Sequence, residues 1–354
     1  MILMRHLLRV IGSRIASSIL IVLAILQILT LLDVTTDVLE RKLGIAGIAK
    51  YAFLSLPSMF EQAAPIGALA GCLFAFAKLA RENAVVALRA TGMSTYRLVA
   101  MALPAAGIVV VLHLAVALFA TPVFEQTLDR WWRSTTPVAE QKPLAPRTFR
   151  LGADIVAAEL DSADGARLKN VVIYRRDGGG AVIQEVKAAR ATFTGAAWRL
   201  DNARFRSFGE AAASDGQASS ITTWAGMLEP VDVLTLFTPS QAIRRDVSGR
   251  ALEGGASVKP AAFYQMQNLR MWAAPFAALV MLILSAPSAL ANFRSGDGAM
   301  LVLTSMAAGL LFLVADGVLT ALGESAAAPP LLAAFAAPAA FAAWGLTLLV
   351  YLEG

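Results

Sequence analysis

Apolar residues in this chain are gathered into long blocks, not spread at regular helical or strand spacing. A helix needs about 20 largely apolar residues to cross a bilayer. Six blocks meet that length: Ile15 to Leu32, Phe53 to Ala77, Leu98 to Ala120, Leu269 to Leu290, Met300 to Leu322 and Leu331 to Leu352. Between the third and fourth blocks, from about Thr121 to Gln267, the pattern changes. Arg167–Arg176 has a β-branched centre and ends at the turn Asp177-Gly178-Gly179-Gly180. Val182–Thr194 alternates loosely, and Ser219–Trp224 is a short strand candidate. Trp198–Phe208 gives Trp198, Leu200, then Ala203, Phe205 and Phe208. Short strands separated by Gly/Asp turns indicate an all-β, jelly-roll-like unit. The pattern therefore predicts an α-helical membrane protein with six transmembrane helices, three and three, around an inserted β domain. Expected boundaries are 1–121 for the first three helices, 122–267 for the β domain and 268–354 for the last three.

Composition strengthens the membrane reading. The chain is 57% hydrophobic and 16% charged, whereas soluble domains carry about a quarter charged residues. The net charge of +5 is modest, and no long Lys/Arg run suggests a nucleic-acid partner. Cys72 is the single cysteine, which excludes an intrachain disulfide. His6 and His113 lie too far apart in sequence to suggest metal ligation. The first apolar block follows Arg5 and Arg9 and outruns a signal-peptide core, so a retained signal anchor is expected.

Short-loop charge sets the expected orientation. With the N-terminus inside, Arg5, Arg9, Arg14, Lys78, Arg81, Arg89, Arg97 and Arg294 are cytoplasmic, against Arg41, Lys42 and Lys50 outside. Both termini are then cytoplasmic. The β domain is outside, in the periplasm of a Gram-negative host.

The segment Lys78–Leu98, KLARENAVVALRATGMSTYRL, is too polar to span. It reads as a short helix of about residues 82–92, with Asn83 as N-cap and Gly92 as stop. Two readings are open. One is an interfacial helix or simple connector; the other is a helix that docks into a groove on a cytoplasmic partner.

Leu54-Ser55-Leu56-Pro57 with Pro65, Leu79-Ala80-Arg81 leading to Ala87-Leu88-Arg89-Ala90-Thr91-Gly92-Met93-Ser94, and the pattern from Phe149 to Phe208 resemble the lipopolysaccharide-export ABC permeases of the LptF/LptG type. The outer end of the first block, with Asp33, Asp37, Arg41 and Lys42, looks more like LptG. The resemblance implies a permease subunit that extracts lipopolysaccharide from the inner membrane and passes it to a periplasmic bridge. It implies that residues about 82–92 form a coupling helix whose ATPase contacts are Arg81, Glu82, Ala84, Val85, Leu88, Arg89 and Gly92. Family members usually carry an acid at the position held here by Ala84. Glu82 lies about 200° round a helix from that position and does not replace it. Implied partners are two copies of a cytoplasmic LptB-like ATPase, a paralogous LptF-like permease, a bitopic LptC-like bridge protein and lipopolysaccharide.

The chain lacks a Gly-x-x-x-x-Gly-Lys-Ser/Thr phosphate loop. No cofactor of its own is expected, and ATP would be bound by the partner. Catalytic constellations are absent from the sequence, so a transporter subunit rather than an enzyme is expected. Ionisable groups at membrane depth are functional candidates. Glu61 reads as wet or paired near the outer interface, and Asp316 as a cavity-lining, lipid-binding candidate. Arg41 and Lys42 are candidates for phosphate on an anionic lipid, since the resemblance places the lipid path between the first and fifth helices. The other reading of that pair is a solvated loop. Gly67-x-x-x-Gly71 reads as helix packing, and Trp131-Trp132 as an interfacial anchor. Two rivals stay open: an enzyme acting on lipids, and a non-transporting scaffold that transmits force from ATP hydrolysis to the periplasm.

Overall fold

The computed structural model describes residues 2–82, 87, 90, 94–135, 146–162, 164–208, 215–224, 228–237, 252, 255–290 and 297–353. Two compact units emerge: Met1–Ser134 with Met266–Gly354, and Thr135–Gln265.

In chain order, the first unit begins with α1 (Ile2–Glu40), α2 (Gly44–Arg81) and α3 (Thr95–Ala115). A π-helical turn, Val116–Ala120, carries α3 into α4 (Thr121–Ser134). The inserted unit contributes α5 (Pro230–Phe237). The chain then runs through α6 (Ala261–Ala273), α7 (Ala277–Ser285), α8 (Asp297–Glu324) and α9 (Pro330–Glu353). Among the described residues, six helical stretches are long and apolar enough to cross a membrane. They match the six apolar blocks but run further. The third continues to Trp132 and the fourth starts at Ala261. A 3-10 turn holding Pro275 joins α6 to α7, because a proline ring removes one helical donor and crowds the preceding turn.

α1 and α2 form a hairpin that turns at Arg41–Leu43, with Lys42 and Gly44 in the left-handed region. Leu7, Ile11, Ile15 and Ile19 recur every fourth residue and are buried with Ala64, Ala68, Cys72 and Phe76 of α2. Gly67 and Gly71 sit where the two backbones meet. A Cβ on Gly67 would lie 2.5 Å from Ile19 Cα, and one on Gly71 2.4 Å from Ile15 Cα. The pair is thus a packing motif, and its partner is α1. Away from this seam, Ile21, Leu32, Val111, Phe119 and Leu331 are exposed, as expected of side chains that face lipid acyl chains.

Among the described residues, the inserted unit is an antiparallel sheet of seven strands in the order β6-β5-β4-β3-β2-β1-β7. The strands are β1 (Arg147–Leu151), β2 (Asp154–Leu160), β3 (Arg167–Arg176), β4 (Val182–Phe193), β5 (Trp198–Ser207), β6 (Asp215–Trp224) and β7 (Ala256–Ser257). Six of them form a plain meander, and the sheet curls into a half-barrel. The curl has a local cause. In β3 the buried side changes step between Leu168 and Val171, in β4 between Ala188 and Ala191, and in β5 between Leu200 and Ala203. Asn170 and Asn202, at the steps in β3 and β5, have φ of 51° and 56°. β2 carries a register shift between Ala157 and Glu159 that faces the same line. An extra residue in each of several neighbouring strands bends them together. Asparagine tolerates the left-handed conformation better than other residues with a Cβ.

Asn170→Val is therefore expected to destabilise this unit by about 1–2 kcal/mol, while Asn170→Gly stays near neutral. Hydrogen-exchange protection of the β3 and β4 amides in the full-length protein measures the difference.

The concave face buries Phe149, Val156, Leu168, Ile173, Val186 and Leu200. α5 closes one end of it with Val233, Leu236 and Phe237. Trp198 Nε1 donates to the Leu228 carbonyl at 2.8 Å, and Arg147 donates to the Leu236 carbonyl at 3.1 Å. Gly165, at φ 77°, allows the β2–β3 turn to meet α5, since a Cβ there would lie 2.3 Å from the Pro230 oxygen. In the same turn the Ser162 hydroxyl and the Ala166 amide donate to Asp164, holding its carboxyl below the usual carboxylate range.

Candidate functional site

The cytoplasmic connector is described only at its two ends. α2 closes at Arg81, and Lys78 pairs with Glu82 one turn on at 3.7 Å, both side chains about half exposed. This places Glu82 beside Lys78 on the solvent side. Ser94 caps α3 by accepting from the Arg97 amide at 3.4 Å. The expected contacts at Ala84, Val85, Leu88, Arg89 and Gly92 lie outside the described residues.

A second cluster forms where α1, α2 and α4 end together. The Arg41 guanidinium lies 4.0 Å from the Trp132 ring centroid and donates to the Trp132 carbonyl at 3.0 Å. Lys50 Nζ sits 5.0 Å from the Trp131 ring. Tyr51 meets Trp132 edge-on at 5.6 Å, and the two tryptophans meet at 5.8 Å. A cation over an aromatic face is held by the ring quadrupole and needs no buried carboxylate. Amphipathic rings of this kind favour the membrane–water interface. Lys42 follows in the hairpin turn, at φ 57°.

The third cluster is a polar ladder between α6 and α8. Arg270 Nη1 lies 3.1 Å from Asp316 Oδ2 and also donates to the Thr320 hydroxyl. Three residues before it, Gln267 donates to Glu324 at 2.8 Å. Gln267 and Arg270 share one side of α6, while Asp316, Thr320 and Glu324 recur every fourth residue along α8. The two rows therefore face one another. Glu61 of α2 is paired too, accepting from the Thr121 hydroxyl of α4.

The three candidate lipid-binding residues thus fall into two clusters. Arg41 and Lys42 belong to the α1–α2–α4 end, and Asp316 to the α6–α8 ladder. The description "Lipopolysaccharide export system permease LptF/LptG" matches this chain over residues 5–351, nearly its full length. The chain belongs to the LptF/LptG permease family. No curated protein matches it at a significant level.

As an LptF/LptG member, the protein is a membrane component of a lipopolysaccharide export transporter, which fits a non-enzymatic subunit. Its six apolar helices and its family fit a multi-pass inner-membrane protein. An ABC permease implies partner subunits. What sequence reasoning missed in this permease is Arg270, which stands in none of its candidate sites. The signal was present: Gln267 and Arg270 lie three apart about the start of one apolar block, and Asp316, Thr320 and Glu324 four apart toward the end of another, the spacing of two helix faces that need each other. Trp131 and Trp132 were legible as an anchor, but their grip on Arg41 and Lys50 was not.

Proposed function

We propose that this permease subunit extracts lipopolysaccharide from the outer leaflet of the inner membrane and passes it to a periplasmic bridge. The observation that carries the reading is the family match over residues 5–351, joined to a β unit whose concave face is lined by apolar side chains. Each acyl methylene favours apolar surroundings by about 0.8 kcal/mol, so lifting several chains out of the bilayer needs work. Six apolar helices without a phosphate loop do not supply it. Two copies of a cytoplasmic ATPase would supply it through the helix at about 82–92, seated in a groove of the ATPase.

A single six-helix subunit encloses little volume, so a cavity large enough for the lipid calls for a related permease beside this one. The lipid would enter sideways past the first and fifth helices. Arg41 and Lys42 would meet its phosphates as it approached, and the α6–α8 ladder with Asp316 would hold the opposite wall. ATP-driven closure would then push the acyl chains toward the apolar face of the β unit. A bitopic protein would extend that face toward the outer membrane. In this arrangement both termini are cytoplasmic and the β unit is periplasmic. The acids and bases at the end of the first span favour the LptG role.

The test joins co-purification to photocrosslinking. With a photoreactive residue at Ile173 or Val186, radiolabelled lipopolysaccharide is expected to crosslink to the β unit only when the co-purified ATPase turns over. Co-purification without lipid crosslinks would favour the force-transmitting scaffold and overturn the export reading. Ala84→Glu is expected to raise lipopolysaccharide released per ATP hydrolysed in proteoliposomes. An unchanged ratio would remove Ala84 from the coupling contact.

A further inference from the structure

The convex face of the half-barrel has no role in the export reading, and its charge is one-sided. β3, β4 and β5 together carry nine Arg and Lys residues against two acids, Glu185 and Asp201. Antiparallel register sets like charges directly opposite each other. Lys187 faces Arg204, and Lys169 faces Arg190. Directly opposite side chains on one face of a sheet are close neighbours, and like charges there destabilise the pairing. Only part of the repulsion is relieved. Lys187 reaches Glu185 at 3.1 Å, Lys169 reaches Glu159 at 3.5 Å, Arg190 reaches Asp161 at 3.8 Å and Arg199 reaches Asp201 at 3.9 Å. Among the described residues, the Arg204 side chain has neither a hydrogen-bond nor an ion-pair partner. Arg190, Arg199, Arg204 and Lys187 are all exposed. Glu159 of β2 and Asp161 just past its end supply two of these acids from the neighbouring strand.

We propose that the convex face of β3–β5, centred on Lys187 and Arg204, is a docking surface for the anionic phospholipid headgroups of the bilayer in which the protein is embedded. The occupant follows from charge and connectivity. The unit is inserted between two membrane-spanning stretches, Val99–Trp132 and Ala261–Ala289, so both ends of its chain are tethered to a bilayer. Tethering keeps headgroups at high effective concentration. A layer of phosphates neutralises a broad, repelling array of cations more completely than a single carboxylate does, and juxtamembrane basic residues are drawn to such a layer. The inference needs neither the ATPase nor transport, so it stands or falls apart from the export reading.

The test uses the full-length protein in nanodiscs of phosphatidylcholine alone or mixed equally with phosphatidylglycerol. Ala189→Cys places a label on the exposed side of β4. The protein's one other cysteine, Cys72, is buried and stays unlabelled. A fluorophore at position 189 is read against a quencher carried on the lipid headgroup. Quenching is expected to rise at least threefold in the phosphatidylglycerol discs, and to fall back to the neutral-disc level in high salt. Lys187→Glu with Arg204→Glu is expected to abolish the rise, and Lys187→Gln with Arg204→Gln to reduce it. Because all four changes are at exposed or half-exposed positions, tryptophan fluorescence serves as the check that each variant keeps its fold. Equal quenching in both discs, or insensitivity to the charge reversal in a folded variant, would overturn the proposal. So would a rise produced only by added lipopolysaccharide or by an acidic protein.

Discussion

Leucine at position 71 is expected to leave almost no folded protein. A first carbon on Gly71 would sit 2.4 Å from Ile15 Cα and 2.8 Å from the Arg14 carbonyl oxygen. Both are backbone atoms of α1, so no rotamer change relieves the overlap. The two helices must separate along a seam that also buries Ile11, Ile15, Ala68 and Cys72. Overpacking a core by one or two carbons costs about 1–3 kcal/mol when side chains can yield. Here the backbone itself must move, so Gly71→Ala is expected at the upper end of that range and Gly71→Leu well beyond it. Gly107→Ala is the matched control, because a Cβ there meets nothing within 4 Å. It adds the same methyl and gains the same helix propensity, about 1 kcal/mol. Thermal unfolding in detergent should therefore rank Gly107→Ala at or above the parent, Gly71→Ala several degrees below it, and Gly71→Leu as unrecoverable in monodisperse form. Equal stability of the two alanine variants would show that the α1–α2 contact is looser than 2.4 Å implies.

That seam also shows how far one sequence reads. The spacing Gly67-x-x-x-Gly71 in an apolar helix marks a close approach, because only small residues let backbones touch. Nothing in it says which helix approaches. Ile15 and Ile19 are ordinary members of an apolar block until the tertiary contact selects them. The same division holds at the ends of the spans. Hydropathy begins the fourth block only at Leu269, since Gln265 and Gln267 look too polar to belong to it. The helix nevertheless starts at Ala261, because Glu324, Asp316 and Thr320 satisfy the polar groups at 267 and 270. Such pairing joins residues about fifty positions apart: the polar spacing along each helix is local, but which helix it faces is not.

In the β unit, the change of step from Leu200 to Ala203 was visible as broken alternation. Its meaning as part of a bend line required the neighbouring strands' register, where β3 and β4 change step at the same level. Arg41 illustrates the opposite case. Its charge and position suggested a lipid phosphate, while its ring and carbonyl partner on Trp132 lies 91 residues away.

Removing either charge of the α6–α8 ladder is expected to harm the protein more than removing both. Arg270 and Asp316 are 31% and 22% exposed, and both lie within apolar spans. Asp316→Ala leaves a guanidinium at membrane depth with only the Thr320 hydroxyl, which is not an ionic partner. A lone charge in a span costs about 2.5–3.5 kcal/mol at mid-membrane and less toward the surface. With partial exposure, a loss of about 1–2 kcal/mol is the reasonable expectation for either single variant. Arg270→Met with Asp316→Leu removes the pair together with its desolvation cost and should unfold nearer the parent. Arg270→Asp with Asp316→Arg should recover part of what each reversal loses alone, which isolates the pairwise interaction from the separate environments. Export measured on the same variants then divides structure from function. If the ladder serves only to fasten α6 to α8, the doubly apolar variant is stable and exports normally. If the ladder must open or slide during the cycle, that variant keeps its fold and its ATPase partner yet exports poorly, because an apolar seam lacks the discrete alternative partners that a charged one can exchange. The second outcome is the one expected here: a polar ladder between two helices that never separated would be a costlier way to hold them than the leucines and alanines used along the rest of the bundle.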